Sequence, residues 1–320
     1  MTISEDLKRE AEAFNERIAE RVRNGHIPDL RLVQPCDWFF NNPWRRPYLV
    51  DMDFGRAFRF ALGHARKGRL LEVGCGAGHM SLEFARNGYH VVGLDVSSHC
   101  LEIGRQLHER NPFRESFGSL LYVNDDFLSW EAVGESFDTV CFFGSLHHQA
   151  EPGRVLDKAR QLLTEGGRIL VLEPARDWIG EANGAVVTLI RLLLSIQNLW
   201  YEALPMPKSE EQLQRYLNDC LDELKSGHDK DEAEQSPHDN VSGTEAMLAA
   251  LRARFGEVEC RRVNGFLQRV IGGVRGASEE QTKSIAKFLD VFDKVAIEVG
   301  LIQPGEFYWA GKNRDERLGT

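Results

Sequence analysis

Residues 70 to 78 read LLEVGCGAG, an apolar run that opens into three glycines at alternate positions. Met80 and Phe84 then begin a helical pattern, so a strand, a glycine turn and a helix are expected in that order. Gly74 and Gly76 can take positive φ and carry no Cβ, so a ligand can lie against bare backbone where the helix begins. The turn therefore predicts a ligand site at the end of a strand.

A second apolar run, residues 89 to 95, ends in Asp95, 21 residues beyond Gly74. In a parallel sheet the end of this strand lies beside the glycine turn, where a carboxylate can accept both hydroxyl protons of a ribose. We therefore expect a nucleoside ligand. Dinucleotide-binding folds carry a third glycine where this chain has His79, which disfavours a nicotinamide-dependent oxidoreductase.

The E-x-G-x-G-x-G spacing from Glu72 to Gly78 resembles motif I of class I S-adenosylmethionine-dependent methyltransferases. Three later segments resemble further motifs of that family, in the family's order: the end of the third strand at 124–127, the fourth strand and its cofactor-facing end at 136–148, and a helix, turn and fifth strand at 162–174. The resemblance implies the cofactor S-adenosyl-L-methionine and the product S-adenosyl-L-homocysteine.

The resemblance also implies which residues hold the cofactor. Asp95 would hold the ribose and the glycine turn the methionine part. Asp126 with Phe127 would hold the adenine, although Asp125 is an equally good acceptor by sequence, and Asp126 can instead cap a turn. Glu72 would reach the methionine amino group through water or order the glycine turn. The expected set is Glu72, Gly74, Cys75, Gly76, Gly78, Asp95, Val96, Asp126, Phe127 and Gly144.

Strands and helices alternate through residue 174, which predicts a doubly wound, mostly parallel α/β sheet. A sixth strand is expected at 258–263 and a final one at 307–310, which in the resembled family runs antiparallel between the fifth and sixth. We therefore expect a seven-stranded, Rossmann-like sheet with an N-terminal helical and aromatic cap and helical insertions after strand 5 and before strand 7. The expected division is 1–55 for the N-terminal helix and cap, 56–175 for the cofactor-binding core, 176–241 for a helical lid, and 242–320 for the C-terminal part of the core.

Helical patterns outside the core lie at 4–24, 184–201, 208–225, 246–255 and 279–299, with Ser242 or Thr244 as the start of the fourth. The most apolar stretch, 185–194, continues into a segment broken by polar residues, so we expect a buried or lid helix and no stable membrane insertion. An interfacial contact that collects a lipid acceptor is the weaker alternative.

Charge and cysteine usage limit the classes of partner. The formal net charge is −10, which argues against a nucleic-acid substrate because phosphate binding needs a cationic surface. The six cysteines form no C-x-x-C pair and are expected to be buried thiols, and the N-terminus lacks the apolar core of a signal peptide. We expect a cytoplasmic protein with no metal site.

Candidate acceptor-binding residues lie in the cap, where Trp44, Arg45 and Arg46 place guanidinium groups among aromatic rings. This combination suits an anionic or sugar-bearing ligand. In the alternative interpretation, Trp44 anchors the cap while the two arginines pair with surface carboxylates.

Several side chains could take a proton from a hydroxyl, and histidine's unperturbed pKa suits that role. His147 and His148 end the fourth-strand motif, but similar pairs occur in methyltransferases with very different substrates, so they can instead position the loop. The candidate catalytic residues are His147, His148, His238 and Asp239, with Glu173 a further possible base.

The sequence thus predicts an enzyme that moves a methyl group from S-adenosylmethionine to a hydroxyl or amine of a small molecule. A sugar, a phosphate-bearing compound and a lipid-linked precursor are candidate acceptors. The alternative is a non-catalytic module that binds S-adenosylmethionine or S-adenosylhomocysteine as a sensor or assembly subunit. Acceptor identity, the methylated atom and the oligomeric state are not readable from the sequence.

Overall fold

The structure, a computed structural model, describes residues 12, 15, 18, 19, 22, 29–32, 46–226 and 241–313. One seven-stranded sheet runs through it in the order β3-β2-β1-β4-β5-β7-β6. Its strands are β1 (Arg69–Val73), β2 (His90–Asp95), β3 (Ser119–Asn124), β4 (Phe137–Phe143), β5 (Leu163–Pro174), β6 (Phe255–Val263) and β7 (Glu306–Asn313). Strands β1 to β5 pair in parallel, and β7 is antiparallel to both β5 and β6, which confirms the predicted fold class.

Helices cover both faces of this sheet because its central strands are apolar on both sides. The helices are α1 (Arg56–His64), α2 (His79–Arg86), α3 (Ser98–Glu109), α4 (Pro152–Leu162), α5 (Glu181–Ile196), α6 (Glu210–Ser226), α7 (Thr244–Arg254) and α8 (Glu279–Glu298). Helices α1 and α2 pack on one face of the sheet, and α4 and α7 on the other. The buried Trp309 of β7 belongs to the α4/α7 side of the core.

The order of the strands reverses between β1 and β4, because the chain adds β2 and β3 on one side of β1 and then returns to the other side. Adjacent connections leave toward opposite faces at such a point, so a crevice opens beyond the carboxyl ends of these two strands. The glycine turn follows β1 and Gly144 follows β4, so both motifs lie at this crevice.

A second apolar cluster lies beyond the sheet, where α5, α6 and α8 pack with segment 266–274. We call these three helices the lid, which here includes α8 as well as the helices of the predicted lid at 176–241. Asn183 of α5 is fully buried, and its amide nitrogen donates to the carbonyl oxygens of Gly265 (2.9 Å) and Gln303 (2.7 Å). These bonds join the lid to the loops at both ends of α8.

The apolar helix α5, expected to be a buried or lid helix, is half buried. Val187 is buried in the lid cluster, whereas Leu189, Leu193 and Ile196 are exposed along the opposite side. One side of the helix is therefore buried and the other exposed, although both sides carry apolar residues. Within the described parts of the chain, no helix combines the length and hydrophobicity that crossing a membrane requires.

The N-terminal segment is described at few positions, and these contact the core beside the glycine turn. Ile18 packs with Ala77 and with Cys100 of α3. Further along, Asp29 forms a buried ion pair with Arg86 of α2, with 2.8 Å between Oδ2 and Nη2. The N-terminal segment therefore rests on the helices that flank the crevice.

In the described part of the chain, helix and strand boundaries follow the sequence predictions to within five residues; α5, for example, was expected at 184–201 and spans Glu181–Ile196. The fourth predicted helix begins at Thr244, whose amide donates to Asp177 at 2.9 Å, and not at Ser242. Strand β5 begins before the Gly166-Gly167 turn, and its pairing with β4 shifts register between Phe137 and Thr139. The division of the chain into cap, core and lid stays a prediction.

We expect Asp293 to be a main stabiliser of the lid. Its side chain is fully buried and accepts from the backbone amides of Gly265 (3.3 Å), Phe266 (2.7 Å) and Leu267 (3.1 Å). Replacing Asp293 by Ala leaves these amides unsatisfied and should lower the free energy of unfolding by about 2 to 4 kcal/mol in urea titrations. The exposed Asp222→Ala change should cost less than about 0.5 kcal/mol. Equal stabilities would contradict this role.

Candidate functional site

The glycine turn after β1 has the backbone geometry that its sequence predicts. Gly74, Gly76 and Gly78 all have positive φ, at 69°, 54° and 71°. A Cβ at Gly74 would lie 2.5 Å from the Cβ of Ser145, so only glycine fits there. The turn thereby brings bare backbone to the crevice between β1 and β4.

Asp95 ties the glycine turn to the end of β2. Its Oδ2 accepts from the amide of Gly76 at 2.7 Å, and its Oδ1 accepts from the amide of Ser97 at 2.8 Å. Asp95 is 8% exposed, so these bonds form in a largely dry site. A carboxylate oxygen can accept two hydrogen bonds, so holding the turn does not exclude holding a ribose.

The end of β3 joins the same edge through the side chain of Asn124. Its Nδ2 donates to the carbonyl oxygens of Asp95 (3.0 Å) and Val96 (2.9 Å). Asp126 accepts from the amide of Ser129 at 3.1 Å, which is the turn-capping contact named above as the alternative, and Asp125 accepts from the amide of Asp126 at 2.8 Å. Both aspartates are half-buried, so a role in adenine binding stays a prediction for either.

Two predicted cofactor residues have side chains that point into the protein. The Phe127 ring lies in the main core, with its centroid 6.1 Å from that of Phe142. The Cys75 thiol is buried against Leu101 and Tyr122, and burial raises its pKa well above the usual value. Any contact these residues make with a ligand in the crevice therefore involves mainly their backbone.

Glu72 lies beneath the glycine turn and is 2% exposed. It accepts a hydrogen bond from the Ser81 hydroxyl of α2. Burial raises the pKa of Glu72 to about 8, although the bond from Ser81 opposes the rise. Burial likewise lowers the pKa of His79 to about 4, so its imidazole is neutral at pH 7. Its ring meets the edge of Phe54 with centroids 5.5 Å apart.

The turn after β4 is organised by one buried carboxylate. Glu173 at the end of β5 is 2% exposed, and its Oε1 accepts from the amides of Ser145 (2.9 Å) and Leu146 (2.8 Å). Its Oε2 lies 2.6 Å from Nδ1 of His147. The ring centroids of His147 and His148 lie 4.0 Å apart. Glu173 therefore holds this turn in place, and its role as a base stays a prediction.

Three residues that the sequence reasoning missed also contribute to the crevice. Ser145 donates to the carbonyl of Val73 at 2.6 Å and so links the ends of β1 and β4. Ser97 caps α3 through the amide of Cys100 at 3.0 Å and also donates to Asn15 of the N-terminal segment. The position of Ser97 two residues after Asp95 was a usable signal for the helix cap. The contacts of Asn15 and Ser145 depend on tertiary folding.

Several predicted acceptor-side residues lie outside the described residues, namely Trp44, Arg45, His238 and Asp239. Arg46 is described, and its Nε lies 2.7 Å from Oε2 of Glu279 at the start of α8, with both side chains substantially exposed. This contact corresponds to the alternative in which the cap arginines pair with surface carboxylates. The chain re-enters the described part at the crevice, where the amide of Ser242 donates to the carbonyl of His147 at 3.1 Å.

The crevice fits S-adenosylmethionine by the shape of its backbone. Gly144 at the end of β4 has φ 66°, and a Cβ built there meets no atom within 4 Å, so open space lies in front of this strand end. The neighbouring Gly74 turn and Asp95 bound the same space. A nucleoside suits a glycine turn that has the Asp95 carboxylate at the neighbouring strand end.

The raised pKa of Glu72 predicts a pH dependence of stability. Between its usual pKa of 4.5 and about 8 the folded state keeps a proton that the unfolded chain has lost. The free energy of unfolding should therefore fall as pH rises through this range. A Glu72→Gln variant lacks this component, so the difference between its urea-unfolding curve and that of the wild type should change steadily from pH 4.5 to 8. Parallel pH profiles would show that Glu72 titrates normally.

Comparison with known proteins agrees with this geometry. A family model described as a methyltransferase domain matches residues 48–223. The ubiquinone biosynthesis O-methyltransferase of Cereibacter sphaeroides (strain ATCC 17025 / ATH 2.4.3) is 36% identical over 129 residues, which cover 39% of this chain and 50% of that protein. The protein of the same name from Xylella fastidiosa (strain 9a5c) is 25% identical over 149 residues, covering 47% and 54%. The chain thus spans about half the length of the curated relatives it matches.

Among solved structures, the crystal structure of the [4+2]-cyclase SpnF aligns with 98% of both chains at a TM-score of 0.55 and 14% identity, which shows a shared fold. The family model covers more than half of this chain, including all seven residues of the glycine motif from Glu72 to Gly78. The chain therefore belongs to the methyltransferase domain family, the class I S-adenosylmethionine-dependent methyltransferases, whose cofactor is S-adenosylmethionine.

Proposed function

We propose that this chain transfers a methyl group from S-adenosylmethionine to a hydroxyl oxygen of a small molecule. The observation that carries the proposal is the pair of hydrogen bonds that Asp95 accepts from the amides of Gly76 and Ser97, which holds the crevice in shape. The choice of oxygen over nitrogen rests on the relatives from Cereibacter and Xylella, which are named O-methyltransferases.

The bound cofactor supplies a methyl group on a cationic sulfur. In our proposal the Asp95 carboxylate accepts from the ribose, the backbone of Gly74 to Gly78 holds the methionine part, and Asp126 with Phe127 borders the adenine. These groups act by orientation, which can contribute much of the rate in a direct displacement. The apolar surroundings exclude water, which strengthens the attraction between the carboxylates and a cationic ligand.

We assign His147 and His148 to positioning the acceptor side of the crevice. His147 is 3% exposed and its Nδ1 faces Glu173, so its ring is fixed by the same carboxylate that holds the turn. We therefore assign this fixed ring to shaping the acceptor side of the crevice rather than to proton transfer. The acceptor is a small molecule, with a sugar, a phosphate-bearing compound and a lipid-linked precursor as the candidates within that class.

The alternative is a module that binds S-adenosylmethionine or S-adenosylhomocysteine without transferring methyl, as a sensor or assembly subunit. The fold is compatible with this, because one fold hosts many chemistries and function depends on the site. SpnF, which shares the fold, is named a cyclase. A tight cofactor complex that yields no methylated product from any cell extract would favour this alternative.

The first experiment is calorimetric titration with S-adenosylmethionine, S-adenosylhomocysteine and NAD. Wild-type protein should bind the two sulfur nucleosides and not NAD. Asp95→Ala should weaken binding by about 10- to 100-fold, equivalent to about 1.4 to 2.7 kcal/mol, because a charged acceptor is lost. Asp95→Asn keeps one acceptor and should lose less.

The matched control is Glu102→Ala, an exposed carboxylate on α3, which should leave binding unchanged. Thermal melting of each variant separates a lost contact from a collapsed turn. Binding of NAD alone, or of none of the three, would contradict the proposed function.

A second prediction concerns Glu173. Glu173→Gln keeps the shape of the side chain but replaces one acceptor oxygen with a donor facing His147 or the turn amides. It should lower the free energy of unfolding by about 1 to 3 kcal/mol and weaken cofactor binding as the turn loosens. Glu181→Gln, exposed at the start of α5, is the control. An unchanged variant would mean that the turn holds its shape without this carboxylate.

A further inference from the structure

A cavity of about 90 Å³, partly open to solvent, lies beside the carboxyl end of β5, between the sheet and the lid. Part of its lining is apolar and comes from Ile179 and Phe266. Another part is polar and comes from Asn264, Gln268 and Glu306. Apolar walls with a few converging polar groups are typical of a small-molecule site.

Glu306 begins β7 and is half-buried where it faces this cavity. Its Oε2 accepts from the side-chain nitrogen Nδ2 of Asn264 at 2.7 Å and lies 3.3 Å from the Tyr308 hydroxyl oxygen. Behind it, Gln268 donates to Oδ1 of Asp53 at 2.7 Å. Two carboxylates are therefore held close together by amide side chains at the end of the sheet.

The surroundings keep Glu306 easily protonated. Burial raises its pKa to about 7 and the nearby Asp53 adds to the rise, while hydrogen bonds from Asn264, Gln268 and Tyr308 oppose it. Burial raises the pKa of Asp53 as well, against the hydrogen bond from Gln268 and the charges of Arg56 and Arg269. A carboxylate that is about half ionised near pH 7 is well matched to accept a proton.

This cavity lies at the same edge of the sheet as the crevice. Glu306 pairs directly with Pro174, the residue after Glu173, which holds the turn at the end of β4. Strand β5 alone separates β7 from β4, so the two strand ends lie about 10 Å apart. The segment Asp51–Gly55 contacts both regions, because Asp53 accepts from Gln268 of the cavity lining and the neighbouring Phe54 contacts His79 at the glycine turn.

We propose that this cavity binds the methyl acceptor, a small hydroxy acid, and that Glu306 takes the proton from the hydroxyl that is methylated. This inference rests on the proposed function. The acceptor oxygen gains the methyl carbon, the sulfur keeps the electron pair of the bond that breaks, and the Glu306 carboxylate gains the proton. Asp53 and Gln268 act through Glu306 as positioning residues.

The acidic part of the proposed substrate follows from the remaining lining. Arg176 and Arg269 both contribute to the cavity, and guanidinium groups bind carboxylates and phosphates with two parallel hydrogen bonds. An acceptor with an apolar body, a hydroxyl near Glu306 and an anionic group near these arginines would match the apolar, acidic and basic parts of the lining. The candidates are therefore hydroxylated carboxylic acids or phosphates, and the test compares a charged probe with its neutral ester.

The binding test uses protocatechuate, a dihydroxylated benzoic acid, and its methyl ester, each titrated calorimetrically into protein saturated with S-adenosylhomocysteine. Wild-type protein should bind the acid at least about tenfold more tightly than the ester, and Arg269→Gln should remove this preference. The exposed Arg110→Gln should retain it. Equal affinities for acid and ester, or no binding of either, would overturn the proposed substrate class.

The kinetic test addresses Glu306 with the same probe and S-adenosylmethionine. Wild-type kcat should rise with pH through about 7, as the carboxylate ionises. Glu306→Gln should lower kcat about 100-fold and abolish that rise, while the affinity for S-adenosylhomocysteine stays unchanged. Glu306→Asp should recover part of the activity, and Glu298→Gln, exposed at the end of α8, should match the wild type.

The outcomes distinguish failure of the role of Glu306 from failure of the proposed methyltransferase function. If the protein binds no S-adenosylmethionine, the proposed function fails and the inference fails with it. If the cofactor binds and extract components are methylated, but Glu306→Gln keeps kcat within threefold and the same pH profile, only the role of Glu306 is refuted. Should Glu306→Gln not fold, Glu306→Asp and the carboxyl-carbon NMR titration of Glu306 in wild-type protein decide, and a normal pKa near 4.5 would overturn the proposal.

Discussion

The site depends on one carboxylate that joins two strand ends. Asp95 accepts from the Gly76 amide in the turn after β1 and from the Ser97 amide after β2, so it fixes both connections that border the crevice. Charge-assisted bonds to backbone amides are stronger than neutral ones, particularly where water is excluded. In the proposed function Asp95 also binds the ribose, so that one side chain would both shape the site and hold the ligand.

The other side of the crevice repeats this arrangement with different residues. Glu173 holds the turn after β4 through the amides of Ser145 and Leu146, and Glu306, paired with the next residue along β5, faces the adjoining cavity. Carboxylates shielded from solvent thus occur at several strand ends, and each accepts hydrogen bonds from backbone amides or from an amide side chain. The lid covers this edge and is itself held by Asn183 and Asp293, so the acceptor cavity depends on packing far along the chain.

The sequence was sufficient for the parallel core and for the glycine turn, because both depend on local patterns. Apolar runs ending in Gly74 and Asp95 define strand ends, and strand ends of parallel neighbours meet at one edge. Glu306 was not predictable, because its neighbours Asp53 and Gln268 lie 253 and 38 residues away in the chain and meet only through the antiparallel β7. For the same reason the sequence did not show that Glu173 binds the turn amides after β4, since those contacts arise only in the folded sheet.

The central claim is that the cofactor lies at the edge between β1 and β4. Hydrogen–deuterium exchange with and without S-adenosylhomocysteine tests it directly. The account predicts slower exchange in peptides that cover 74–79, 95–97 and 144–148, with little change in the amino-terminal half of α8. Protection confined to other segments, or none at saturating ligand, would contradict it.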